Sequence, residues 1–139
     1  MITKKTEYAI RVLWELSQAD SSRVTSGKIA QRQSIPAKYL PQIVSELARS
    51  GLVSSSRGFG GGLRLGRDAE TISLLDVIEA VQGKMYLFEC QKNPADCIAL
   101  PDCNLRQVYA KAQETLEAVF ASIKLSELKF RKASPRDNT

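Results

Sequence analysis

A mainly α-helical fold carrying one small β-hairpin is the class this 139-residue sequence predicts. Three observations lead there. Apolar residues recur at helical spacing through three successive segments before residue 50. The period then becomes an extended one around the glycine-rich run Gly58-Phe-Gly-Gly-Gly62. Later, Leu105, Tyr109, Ala112, Leu116, Val119 and Ile123 repeat at intervals of 4, 3, 4, 3 and 4, a sustained a/d seam.

Residues 4–18 set Ala9, Val12, Leu13 and Leu16 on one face, widened by Ile10 and Trp14, so a first helix with a broad buried stripe is expected. Ala19-Asp-Ser-Ser-Arg23 is a polar turn. A short second helix over about residues 26–33 turns Ile29 and Ala30 inward. Ser34-Ile-Pro36 leads into a third helix over 37–50, with core positions Leu40, Ile43, Val44 and Leu47. Gly51 is placed to stop it, and Pro41 lies in or just after its first turn, where a missing N–H costs least. Residues 52–57 and 63–65 read as the strands of a hairpin with a glycine-rich tip and Arg57, Arg64 and Arg67 along it. Three helices followed by a basic hairpin is the winged helix-turn-helix order. Ser73-Leu-Leu-Asp76 has capping-box spacing and opens a fourth helix that ends at Gln82-Gly83.

The seam helix, 104–124, has no second helix of matching length to pack on within the chain, so a homodimer formed through it is expected. The organisation is therefore 1–67 for the winged helix-turn-helix, 68–128 for a cysteine loop plus long dimerisation helix, and 129–139 for a polar, basic tail that frays, all within one compact domain.

Composition narrows the function. Twenty basic residues against fifteen acidic give a net charge of +5, which favours a polyanionic partner. A 43% apolar fraction supports a modest core, and a chain this short gains more by dimerising. No apolar run approaches the roughly 20 residues of a membrane span, and Met1-Ile-Thr-Lys-Lys-Thr-Glu7 lacks the apolar region of a signal peptide. A cytoplasmic protein without a membrane partner is the expectation. The absence of histidine excludes Ser-His and Cys-His nucleophiles, His-bound zinc and His acid–base chemistry. Phosphate-binding loops are missing too, since the glycine run lacks the final Gly of a dinucleotide fingerprint and has no βαβ surroundings. An enzyme is not expected.

All three cysteines fall in one polar stretch, Cys90-x6-Cys97-x5-Cys103, which also holds Asn93, Pro94, Asp96 and Asp102. Thiolates in such a loop are poor core material and good soft-metal ligands. Their odd number argues against a plain disulfide framework. Three thiolates leave a tetrahedral iron or a four-iron cluster one ligand short. The alternatives are thiol–disulfide sensing without a cofactor, zinc, or a cluster carrier for electron transfer; a carrier needs neither a recognition helix nor an arginine wing.

Tyr8-Ala9, Ile29-Ala30, Tyr39-Leu40, Gly51-Leu-Val53, Arg57-Gly-Phe-Gly-Gly-Gly62 and the late cysteine trio together resemble the IscR/NsrR family of bacterial winged-helix regulators, from the N-terminus to about residue 128. The resemblance implies a homodimeric transcription factor on a pseudo-palindromic operator in double-stranded DNA, with repression as the family default. It implies an iron–sulfur cluster on Cys90, Cys97 and Cys103, with 2Fe-2S favoured over 4Fe-4S. IscR-type members complete the cluster with a His three residues after the last Cys, and here that position is Arg106. Some members that sense nitric oxide or redox state use an acidic residue near the N-terminus of the other subunit, and Glu7 stands at the matching position. Asp96, Asp102 and an external small molecule remain open as fourth ligands, and Glu7 has the plainer reading of a charge at a helix N-terminus.

A recognition helix reads the major groove through its first residues, here Pro36, Ala37, Lys38, Tyr39, Pro41 and Gln42. Gln42 has the amide that reads adenine bidentately, and Lys38 reaches a guanine edge or a phosphate. A family glutamate that influences site choice is replaced here by Pro41, so that discrimination does not carry over. Arg57 matches a family arginine that enters the minor groove, Gly58 and Gly60 let the backbone approach phosphates, and Arg64 adds charge to the wing. The plainer reading of each is solvated surface.

Overall fold

The computed structural model describes residues 1–20, 22–93 and 104–130, with the backbone alone at 89 and 90. The first helix starts where the sequence offers a cap. Thr3 takes the N–H of Thr6 on its hydroxyl at 3.1 Å and opens α1, Lys4–Ser17. Its inward face buries Ala9, Val12, Leu13, Trp14 and Leu16. Thr25 caps α2, Ser26–Gln33, in the same way, and Ser34 ends it with φ of 54°. A short polar residue tolerates that left-handed conformation better than a branched one.

The third helix departs from the sequence expectation at its start. Residues 37–39 form a 3-10 turn (Ala37–Tyr39), and the α-helix proper, α3, is Leu40–Arg49. The cause is Pro41. It has no N–H to donate to the carbonyl of residue 37, so an α-helix cannot run unbroken from 37 and instead takes Pro41 into its first turn. At the other end, Gly51 at φ +75° donates to the Ala48 carbonyl at 3.1 Å, and Leu52 donates to the Leu47 carbonyl at 2.9 Å. These two bonds form a Schellman stop and feed the chain directly into the wing.

The wing is an antiparallel pair, β1 (Val53–Ser56) and β2 (Gly62–Leu65), in the register Val53 with Leu65 and Ser56 with Gly62. Val24 adds a bridge to the outer side of Leu63, with both N–H···O bonds at 2.8 Å. At the tip the Gly61 N–H closes on the Gly58 carbonyl at 2.9 Å, and Gly60, at φ +75°, occupies the corner that requires a glycine. A 3-10 turn, Ala69–Thr71, then leads to α4, Leu74–Gln82, which begins with the expected capping box between Ser73 and Asp76. Val77, Ile78 and Val81 of α4 are buried, and α4 lies against α1 and α3.

Beyond α4 come a single turn, α5 (Glu89–Lys92), and the long α6 (Leu105–Ser122). The chain then turns back onto the winged-helix core. Leu74 donates to the Ile123 carbonyl at 3.0 Å and Leu125 donates to the Ile72 carbonyl at 2.8 Å, while the Leu125 side chain is buried in a final 3-10 turn, Leu125–Glu127. Trp14 donates its indole N–H to the Leu128 carbonyl at 3.1 Å and meets Phe130 edge-on, ring centres 5.3 Å apart.

Candidate nucleic-acid interface and sensor arm

Lys38 and Gln42 are exposed at the start of α3, where the 3-10 turn and Pro41 present them. Tyr39 is different. Its ring lies 5.2 Å from that of Tyr8 on α1, tilted by 58°, and Lys38 Nζ sits 5.3 Å from its centre. Tyr39 therefore braces the turn against α1 and steadies Lys38 rather than standing free. Gln42 Nε2 donates to Glu46 Oε1 at 3.2 Å, and the same oxygen accepts from Lys5 Nζ at 2.9 Å.

On the wing, Arg57, Gly58, Gly60 and Arg64 are all exposed, and among the described residues neither arginine enters an ion pair. Two other arginines are committed to structure. Arg67 donates to both Asp76 Oδ2 and the Thr71 carbonyl at 2.8 Å, which separates it from the wing cations beside it in sequence. Arg23 donates to the Gly62 carbonyl at 3.1 Å and the Ser54 carbonyl at 3.3 Å, clamping the two strands from below. Nothing in the spacing of residues marks Arg23 for that task. Its role depends on Val24 pairing with Leu63, a contact 39 residues distant.

Glu7 lies in the first turn of α1 with its side chain 42% exposed. Its carboxylate accepts from Arg11 Nη2 at 2.6 Å and faces Lys4 Nζ at 3.4 Å, so two cations hold it on the surface. The start of α1 is clasped to the end of α4: Gln82 Oε1 accepts from the Thr3 N–H at 3.1 Å and the Thr6 hydroxyl at 2.7 Å. From that clasp the chain runs through residues 83–92 toward the cysteines. Cys90 falls within α5, whereas Cys97, Cys103, Asp96 and Asp102 lie outside the described residues.

The arm that leads to Cys90 is fastened to α6. Gln113, buried on that helix, donates to the Met85 carbonyl at 2.7 Å and to Glu117 at 3.1 Å, and accepts the Leu87 N–H at 3.4 Å. Phe88 stacks on Tyr109 with ring centres 3.4 Å apart. Arg106 lines a cleft of about 290 Å³ beside this arm with Lys84, Tyr86 and Gln91. Gln113 was not foreseeable from the seam, because a glutamine between Ala112 and Leu116 reads as surface on a helical pattern.

Apart from Gln113, the described residues of α6 are not buried. Leu105 is 50%, Val108 57% and Val119 48% exposed. A helix of 18 residues with that much uncovered apolar surface is incomplete by itself.

Comparison with known proteins agrees with this layout. The Rrf2 family model, described as an iron-dependent transcriptional regulator, matches residues 2–130. The HTH-type transcriptional regulator IscR of Vibrio vulnificus (strain YJ016) is 35% identical over 128 residues, which cover 91% of this chain and 76% of the relative. IscR of Klebsiella pneumoniae (strain 342) is 34% identical over 128 residues, with 91% and 78% covered. Among solved structures, CymR (YrzC), the global cysteine regulator of B. subtilis, superposes with a TM-score of 0.77 at 25% identity, covering 91% of this chain and 94% of that one. T. potens IscR superposes with a TM-score of 0.73 at 27% identity, covering 91% and 84%.

Proposed function

The chain belongs to the Rrf2 family of transcriptional regulators, and from that premise we propose a homodimeric repressor that senses through an iron–sulfur cluster on Cys90, Cys97 and Cys103. That it is a DNA-binding regulator of the helix-turn-helix type and not an enzyme follows from the family, its relatives and its structural neighbours. Among the described residues no helix is long and apolar enough to cross a membrane. The proposed location is the cytoplasm, and the proposed partner is double-stranded operator DNA.

The observation that carries the reading is the set of exposed polar and cationic side chains on two rigidly joined elements. Lys38 and Gln42 on the α3 turn connect through Gly51 and Leu52 to a wing bearing Arg57 and Arg64, exposed and without an ion pair among the described residues. In this reading Gln42 reads an adenine edge, Lys38 takes a guanine edge or a phosphate, and Arg57 enters the minor groove. Gly58 and Gly60 bring the wing backbone close to the phosphates, Arg64 adds attraction to them, and Tyr39 holds the turn in place.

The donor set suits iron. Three thiolates are soft ligands, and the Glu7 carboxylate, contributed by the partner subunit, is a harder and weaker fourth. Glu7 is half-exposed and among the described residues its carboxylate pairs with the flexible side chains of Arg11 and Lys4, which it would exchange for a metal. A 2Fe-2S cluster is favoured over 4Fe-4S. When bound, it supplies a centre that nitric oxide, oxidants or iron shortage dismantle. The chain's own part is mechanical. The exposed apolar residues of α6 pack against a second copy through helix 104–124, and Gln113 fastens the cysteine arm to that helix. Ordering of the arm and spacing of the two recognition helices are then coupled, because operator half-sites are fixed on the duplex.

The test is an anaerobic visible spectrum with iron and sulfide analysis on the purified protein. Charge-transfer bands and stoichiometric iron and sulfide, both lost in Cys97→Ser, are expected. A colourless protein that stays iron-free after reconstitution would replace the cluster with cofactor-free thiol–disulfide sensing at the same cysteines.

A further inference from the structure

We infer that Glu46 is the positioning residue that turns Gln42 into an adenine reader, and that Lys5 holds Glu46 to this task. The inference rests on the reading of Gln42 as a base-contacting residue. It starts from an arrangement that a plain surface pair does not need. Glu46 Oε1 accepts from both Gln42 Nε2 at 3.2 Å and Lys5 Nζ at 2.9 Å, and the Lys5 and Glu46 side chains are only 24% and 17% exposed. Glu46 Oε2 is buried with no hydrogen-bond partner among the described residues. An i, i+4 contact on an open helix face would keep both carboxylate oxygens in water and would require no cation from a neighbouring helix.

The chemistry of the two side chains then fixes a direction. A carboxylate only accepts hydrogen bonds, whereas an amide has one end that donates and one that accepts. Glu46 therefore selects which end of Gln42 faces it, and that is the NH2 end. One N–H of Gln42 is consumed, and the other N–H and the carbonyl oxygen remain. That donor and acceptor match adenine, whose major-groove edge offers the N7 acceptor and the N6 donor. Without the carboxylate the amide has two orientations of similar energy, and the matching one must be selected at each encounter. A negative charge on a recognition helix also repels the phosphate backbone, so Glu46 weakens general attraction to DNA while sharpening the reading of one base. Lys5, reaching across from α1, offsets the repulsion and pins the carboxylate.

The experiment uses the full-length protein and a duplex selected from a random pool by the wild-type protein. Every base pair of one half-site is then changed singly, and affinities are measured by competition anisotropy. Wild type should prefer adenine at one position by about tenfold, and Gln42→Ala should abolish that preference. Glu46→Gln should lose most of the preference at the same position while binding unrelated duplex as well as, or better than, wild type. Lys5→Met should lower the preference too, and Lys5→Arg should retain it, which a fold defect would not produce. A Glu46→Gln protein that keeps the full adenine preference, where Gln42→Ala has lost it, overturns the positioning role. If Gln42→Ala leaves every position unchanged, the base-reading assignment itself fails and the inference falls with it.

Discussion

The winged helix-turn-helix and the cysteine arm with α6 solve opposite problems with similar residues. In the first, Val12, Leu13, Ile29, Ile43, Leu47, Ile72 and Val77 are fully or almost fully enclosed, and the returning Leu125 seals the far side. In the second, Leu105, Val108 and Val119 of α6 stand about half in solvent, and among the described residues of that helix the one buried side chain is the polar Gln113. A closed core makes a rigid reading head whose exposed side chains keep their positions. An unfinished surface makes a helix whose order depends on what covers it and on what the arm beside it is doing. In the proposed function, rigidity falls where bases would be read, and conditional order falls where a signal would enter.

The largest effect that would separate the two regions is in the closed core. Leu47→Ala removes a fully buried side chain and should cost about 2–5 kcal/mol in urea unfolding, with loss of DNA binding at 37 °C. If it melts like wild type, the core is not the rigid element described. On α6 the expected response is of another kind. Val119→Asp places a charge on the 48% exposed seam residue and should convert the proposed dimer to monomer in sedimentation equilibrium, raising the dissociation constant by about 100-fold for a few kcal/mol of unpaired charge buried at the interface. A Val119→Asp protein that remains dimeric would move the interface away from α6.

Smaller effects test how the regions connect. Gln113→Ala leaves the Met85 carbonyl and Leu87 N–H without their partner and should cost about 1–3 kcal/mol. Hydrogen exchange should show the loss at residues 85–92 and not in α1 or α3. Arg57→Ala should weaken operator binding by about 1–3 kcal/mol with an unchanged melting temperature, since the side chain is exposed and enters no ion pair among the described residues. Ser73→Ala should be the mildest, about 1 kcal/mol from one lost cap at α4, with operator affinity otherwise intact.

Much of the reading head was legible in the sequence because its determinants are local. Apolar spacing marks α1 and α3, Ser73 and Asp76 announce α4, and Gly51 fixes the junction to the wing. The start of α3 lies three residues later than the sequence pattern predicts, because the 3-10 turn at Ala37–Tyr39 ahead of Pro41 keeps the apolar spacing of a helix. What stayed hidden depends on pairs far apart in the chain. Arg23 under the wing, Lys5 against Glu46, Gln113 against Met85 and Trp14 against Leu128 each need the fold before the partner exists. The seam on α6 and the homodimer expected through it are readable as a pattern, while the half-exposure of Leu105, Val108 and Val119 appears only in three dimensions.

The most direct test compares operator affinity of the same protein in its cluster-loaded and iron-free forms, by anaerobic anisotropy on one duplex at one salt concentration. On the proposed function a difference of about tenfold or more is expected, with Cys97→Ser behaving as the iron-free form, because the arm and α6 would set the spacing of the two recognition helices. Equal affinities in the two forms would contradict it and leave the cysteines without a hold on DNA binding.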